Sequence, residues 1–303
     1  MITGDTRKVT CNAIDRRRFT TMTCAAGAVA LAGAVAPAGA MAPAGRAANP
    51  ASKRIRKSVK YGMIREGKTL LEKLQVLKRA GFDGLELTLQ KKIPVKEVRA
   101  AVDATGVVVH GIVHSHSEEF AAPIRYCKAV GGDAVLIIAK TDNTLSHAEN
   151  NKRLHTAIRA ALPLAEQNGI RLLVENVRAS PHLNTAERMA EFIDAAGSPM
   201  VGAYYDTGNT ISWTNQSAEH WARVLGKRIV KIDIKDRGHP IFGDPKTASQ
   251  TAIGTNGGEV HWKNVRQELA AINYTGWAAA EVAGGDQKRL TDMAHWVNDV
   301  LQL

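Results

Sequence analysis

The chain has 303 residues, 45% of them hydrophobic, and carries 40 Lys/Arg against 29 Asp/Glu for a formal charge of +11. That is enough chain to bury a large core, and the basic excess is scattered along helix-like segments rather than gathered on one face, which argues against a nucleic-acid binder. The first 50 residues hold Cys11 and Cys24, so Cys127 stands alone in the remainder and no internal disulfide is expected there.

Residues 1–50 do not read as part of a fold. Asp15-Arg16-Arg17-Arg18-Phe19 precedes an Ala/Gly/Val-rich run from Thr20 to Ala40 that has no acidic residue, and small-residue sites such as Ala38-Gly39-Ala40 follow. A basic cluster, a weakly apolar run and small residues make an export signal. The arginine pair resembles a twin-arginine signal, which implies a periplasmic or otherwise exported protein with no stable membrane insertion after cleavage. Without these residues the net charge is near +7, and the densest basic run is Lys53-Arg54-Ile55-Arg56-Lys57.

From residue 51 to 303 one domain is expected, in which short β-rich runs alternate with helical stretches. The predicted strands are 59–63, 84–87, 107–110, 134–138, 171–174, 201–205, 229–232 and 277–280. The helices between them stop at Gly81, Gly106, Gly131, Gly169 and Gly226, and the last runs over 286–301. Eight βα units are the count that closes a (β/α)8 TIM barrel. No G-x-G-x-x-G turn stands between a strand and a helix, so a dinucleotide-binding sheet is disfavoured. The one long loop, 236–259, follows strand seven on the face where barrels carry their sites.

Polar residues at the strand ends are the candidates for chemistry: Glu86, His110 with His114, Glu175, Asp206, Asp233 with Lys235, and Glu281. In Lys231-Ile232-Asp233-Ile234-Lys235 the isoleucines should pack under helices, which turns Asp233 and Lys235 towards the barrel axis. Glu86 turns inward by the same parity between Leu85 and Leu87. Four carboxylates from strands five to eight would then repel one another. A divalent metal held by Glu175, Asp206, Asp233 and Glu281 removes that cost, and oxygen ligands suit manganese first, with Mg or Co next. The competing reading pairs one or two of them with Lys235, Arg178 or Arg237.

The segments Ala80-Gly81-Phe82-Asp83-Gly84-Leu85-Glu86, Leu173-Val174-Glu175-Asn176, Tyr205-Asp206-Thr207-Gly208-Asn209 and Asp233-Ile234-Lys235-Asp236 resemble the xylose isomerase-like barrel superfamily. So does the loop from Gly254 to Trp262. The resemblance covers 58–301 and implies sugar isomerase or epimerase chemistry, with Glu175 and Glu281 flanking the sugar as the catalytic pair. It also implies one metal and substrate-contacting histidines at His110 and His114. Two departures stand out: similar proteins have His where this chain has Asp233, and often His where it has Asn209. The first makes an all-carboxylate set that favours Mn or Mg over Zn.

A metal between two carboxylates suits proton abstraction beside a carbonyl, through an enediolate. Epimerisation, aldose–ketose isomerisation and elimination from a 3-keto-glycoside (lyase or hydratase chemistry) all pass through it. The expected partner is a free or glycosidic sugar or keto-sugar, bound by Glu86, His110, His114 and Lys235, and oligomerisation stays open. Tyr204, Tyr205 and Trp213 fall near the mouth and could stack on a sugar, with Tyr205 read as a core position. Gly284-Gly285-Asp286 reads as a tight loop with a helix N-cap in preference to a phosphate cradle. A non-catalytic sugar-binding barrel and an apurinic endonuclease are the remaining readings, the latter short of histidines at strand ends.

Overall fold

The computed structural model describes residues 55–89, 93–113, 118–237 and 258–303. The expected export segment and His114 lie outside them. The strands are β1 (Arg56–Lys60), β2 (Gly84–Thr88), β3 (Val108–Val113), β4 (Ala134–Ile137), β5 (Arg171–Glu175), β6 (Val201–Asp206), β7 (Ile229–Ile234) and β8 (Trp277–Ala280). All neighbours pair in parallel, and β1 pairs with β8 to close the barrel. The helices are α1 (Leu70–Ala80), α2 (Val95–Thr105), α3 (Ala121–Val130), α4 (His147–Asn168), α5 (Ala186–Ala195), α6 (Thr207–Trp213), α7 (Ala218–Leu225), α8 (Trp262–Ala271) and α9 (Gln287–Leu301). This is the (β/α)8 barrel expected from the alternation.

Local signals set the boundaries. Capping boxes open α1 through Thr69 and Glu72 and α4 through Ser146 and Glu149, each answering two backbone N–H groups that the helix leaves unpaired. Helices α1 to α4 each stop at one of the predicted glycines. The larger differences from expectation bear on the site. β1 starts earlier and ends at Lys60, followed by a 3-10 turn over Tyr61–Met63. β3 runs on past His110 to Val113, and α6 was not anticipated at all.

Strand parity divides the molecule. Val59, Leu85, Ile112, Val135, Leu172, Val174, Ile232 and Ile234 belong to the main core, with helix residues such as Leu74, Leu77, Ile158, Trp221 and Val297. Burying such a side chain is worth about 1.5–3 kcal/mol, so this shell carries the stability. The barrel interior is different on its two sides. Ala134, Leu136, Leu173 and Tyr204 form a small apolar cluster from β4, β5 and β6. Glu86, Lys231 and Asp233 are instead buried charges on β2 and β7, with the half-buried Lys60 of β1 above them.

Candidate metal and catalytic centre

The site is built at the ends of β5 to β8. Glu175 is the last residue of β5, and the next residue, Asn176, ties β5 to β6. Its side chain donates to the Asp206 carbonyl (2.8 Å) and accepts from the Asp206 N–H (2.8 Å). Asp206 divides its carboxylate between two tasks. Oδ1 caps α6 by accepting from the Asn209 N–H (2.9 Å), while Oδ2 is left facing the other acids. Thr207 clamps β6 to β7, donating from Oγ1 to the carbonyls of Asp233 (3.2 Å) and Lys235 (2.8 Å). Gly208 is required by this clamp: a Cβ there would lie 2.7 Å from Lys235 Cγ and 2.8 Å from its Cβ.

The result brings together one ligand atom each from Glu175, Asp206, Asp233 and Glu281, all within 4.8 Å of one another. Asp206 and Asp233 are fully buried and Glu175 nearly so, while about a third of the Glu281 side chain is exposed at the mouth (32%). Two ammonium groups enter the cluster. Lys60 Nζ lies 2.9 Å from Asp233 Oδ2, 3.2 Å from Glu86 Oε2 and 3.7 Å from Glu281 Oε1. Lys235 Nζ lies 3.1 Å from both Asp206 Oδ2 and Glu281 Oε2, and 3.3 Å from Asn209 Oδ1. Among the described residues, Asp206 Oδ2 and Glu281 Oε2 are met by the Lys235 ammonium as ion pairs alone, and Asp233 Oδ1 accepts no hydrogen bond. Buried acceptors in that state are costly.

The four acids do not titrate alike. Burial, then the nearby Glu281 charge, pushes Glu175 up to about 8. Burial raises Asp206 to about 6 against the pull of Lys235, and burial raises Asp233 well above its usual value although Lys60 opposes it. Glu281 goes the other way: burial works against its charge, yet Lys60 and Lys235 together hold it down at about 2. Lys60 and Lys235 are themselves raised, because the surrounding carboxylates outweigh their desolvation.

Lys60 escaped the sequence reading because strand one was placed three residues too late, which hid Lys60 in mid-strand. Lys60 and Lys235 therefore compensate the acids in the way the competing reading required, though Arg178 and Arg237 do not. Arg178 stacks over Trp213 and Arg237 pairs with Glu259. Five carboxylates, with Glu86, face two ammoniums, so the donor set still fits a hard divalent cation.

Other expected site residues are placed elsewhere. His110 is not at a strand end but in the floor of the barrel, 3% exposed. One ring nitrogen meets Ser58 Oγ at 2.8 Å, the other Lys231 Nζ at 3.0 Å, and the ring stacks on Trp277 at 4.2 Å. A strand that continues to Val113 carries it below the mouth. Glu86 is buried beneath Lys60 and accepts a hydrogen bond from that ammonium (3.2 Å). Tyr204 is buried too, under the Lys60 ammonium, and Tyr205 is core with its hydroxyl donated to the Ala218 carbonyl (2.6 Å). Trp213 alone of the three aromatics keeps an accessible ring. Asp286 caps α9 by accepting from the Arg289 N–H, and Gly285 pairs with Ile64. That is the tight-loop reading of Gly284-Gly285-Asp286. A cavity of about 710 Å³ beside Arg266, Leu269, Tyr274 and Leu301 shares no residue with the acids.

A family described as the xylose isomerase-like TIM barrel matches residues 74–299, three quarters of the chain. The chain belongs to that family. Its fold recurs in 3-keto-D-glucoside 4-epimerase from E. coli, with 16% identity, TM-score 0.66, and 81% of this chain and 100% of that one covered. D-Allulose 3-epimerase from Methylomonas sp. is similar at 18% identity and TM-score 0.66, covering 82% and 99%. A zinc-bound protein, IOLI, is similar at 15% identity and TM-score 0.66, covering 82% and 98%. At these identities the likeness establishes the barrel. No curated protein matches the sequence.

Proposed function

We propose that the chain is a sugar isomerase or epimerase that moves a proton at a carbon beside a carbonyl, with one divalent metal, manganese, held by Glu175, Asp206, Asp233 and Glu281. The observation that carries this reading is the convergence of the four carboxylates within 4.8 Å, three of them with an oxygen that accepts no hydrogen bond. When bound, the cation would polarise the carbonyl and a neighbouring hydroxyl and offset the negative charge of an enediolate.

The residues divide the remaining work. Glu281, kept ionised by two ammoniums, is the group that takes the proton. Glu175 is raised to about 8 only while no cation is bound; as a ligand it would be deprotonated, and with Glu281 it forms the proposed pair of proton-transferring carboxylates. They come from β5 and β8, so they can serve different faces of a sugar between them. Lys235, at the mouth beside Glu281, is placed to donate to a substrate oxygen. Return of the proton to the same carbon is epimerisation, and return to the next is isomerisation. The names of the solved neighbours, two of them epimerases, support this class. Loss of a β-substituent from the same enediolate is the second reading, supported by the 3-keto-glucoside in one neighbour's name. We further propose export of the mature barrel, supported by Arg16-Arg17 and the Ala-rich run after them.

The test is a screen of keto-sugars and 3-keto-glycosides in heavy water, with metal content measured on the same samples. Solvent deuterium should appear at a carbon beside the carbonyl, and Glu175→Gln or Glu281→Gln should slow its appearance by about 10²–10⁴. Glycoside hydrolysis without exchange, or full activity of metal-free Glu281→Gln protein, would overturn the proposal.

A further inference from the structure

Beside the carboxylates, between the segment that follows β5 and helix α6, lies a cavity of about 280 Å³. Two of its walls are continuous with the proposed reaction site. Asn176 follows Glu175 directly and holds the backbone of Asp206. Asn209 donates from Nδ2 to Glu175 Oε1 at 3.2 Å and lies 3.3 Å from Lys235 Nζ. Beyond Asn209 comes Trp213, whose Nε1 donates to Asn209 Oδ1 at 3.3 Å. The indole is thereby fixed by its polar edge while its ring stays half-exposed towards the cavity.

Arg178 completes this wall. Its guanidinium lies 4.9 Å from the Trp213 ring centroid, and among the described residues it makes no hydrogen bond or ion pair. An exposed arginine held on an aromatic face has its N–H fork oriented and unspent. Asn184 adds an exposed amide at the rim, and Leu183 and Trp221 form an apolar base. Polar groups around an aromatic platform are the pattern of a small-molecule subsite. The volume sits just under the ~300 Å³ at which ligand pockets begin, so it has room for one ring.

We propose that this cavity is a subsite for a second pyranose ring, so that the substrate is a two-ring glycoside. This rests on the proposed reaction: the keto ring lies at Glu175 and Glu281 and its glycosidic partner packs on Trp213. A pyranose matches the wall because it has an apolar C–H face for the indole and a rim of hydroxyls for Arg178 and Asn184. A purely aromatic aglycone would leave those donors unmatched. A phosphate would meet a single cationic side chain among the described lining residues.

The experiment measures binding without turnover. The full chain, with manganese added, is titrated with cellobiose and maltose on one side and with glucose on the other, by calorimetry. At least one disaccharide should bind about tenfold tighter than glucose, a difference near 1.4 kcal/mol. Arg178→Ala and Trp213→Ala should each bring that ratio back towards one, with unfolding temperature confirming that each variant is folded. Arg178 is exposed and only stacks, so its variant keeps the test informative if Trp213→Ala disturbs Asn209. Equal binding of one and two rings by the wild type, or an unchanged ratio in Arg178→Ala, overturns the subsite. A ring preference without proton exchange would retain the subsite and reject the reaction; exchange on monosaccharides with no ring preference would do the reverse.

Discussion

Lys60 and Asp233 meet across β1 and β7 at 2.9 Å, with Asp233 fully buried. A neutral imidazole at the Asp233 position would need no ammonium beside it, so the two residues are expected to be energetically coupled. Lys60→Met should cost up to about 3–5 kcal/mol in metal-free protein, less whatever Asp233 recovers by taking up a proton once its ammonium is gone. Asp233→His alone deprives Lys60 of its nearest partner. Combined with Lys60→Met, it should restore much of the loss, giving a coupling of at least about 1 kcal/mol in urea denaturation with chelator present. Costs that simply add would show that the two residues act independently.

At the scale of elements, α6 is the piece on which the site's assembly depends. Thr207-Gly208-Asn209-Thr210-Ile211-Ser212-Trp213 is a poor helix by propensity, with glycine and β-branched residues. It forms because Asp206 caps it and Thr207 fastens it to β7. Gly208→Ala would improve propensity, yet its methyl group would press on the stem of Lys235. A destabilisation of about 1–3 kcal/mol is expected, together with weaker divalent-metal binding because Lys235 and Asn209 shift. Unchanged stability and metal affinity would show that α6 can back away freely. This explains what was legible in the sequence. Strands bounded by glycines and filled with Val, Leu and Ile could be read directly, and so could the inward turn of Asp233 and Lys235. A helix made by a cap and a clamp could not, since both partners come from tertiary structure. β3 was ended at His110, one residue before Gly111. Its missing side chain in fact makes room, for a Cβ there would lie 3.1 Å from both Glu86 Oε1 and Lys231 Nζ. Strand one was misplaced because Arg56 and Lys57 were read with the dense basic run ahead of it, as solvated surface. Lys57 instead tucks its ammonium against Asn298 Oδ1 at 2.7 Å. That error of register is what concealed Lys60.

For the whole molecule, the barrel is held together without covalent cross-links among its described residues. Cys127 is buried and its thiol is pushed up to about 12 by burial, which keeps it unreactive. Such a barrel needs no oxidising compartment in order to fold, which is compatible with the proposed twin-arginine export of a folded cargo. Changing Arg16 and Arg17 to Lys together should leave the precursor in the cytoplasm, with no mature chain beginning near residues 41–50; fractionation and N-terminal sequencing decide it. Normal export of that double variant would remove the twin-arginine assignment. The division of each strand into an outward and an inward set has a further effect on how such a barrel can diversify. Ile232 and Ile234 are bound to the helices, whereas Asp233 and Lys235, interleaved with them, answer only to the mouth. Mutations arising at neighbouring codons thus fall under separate selective pressures. A lineage can acquire a new reaction through one set of positions while purifying selection on the other preserves the scaffold, which lets 16% identity coexist with the same barrel.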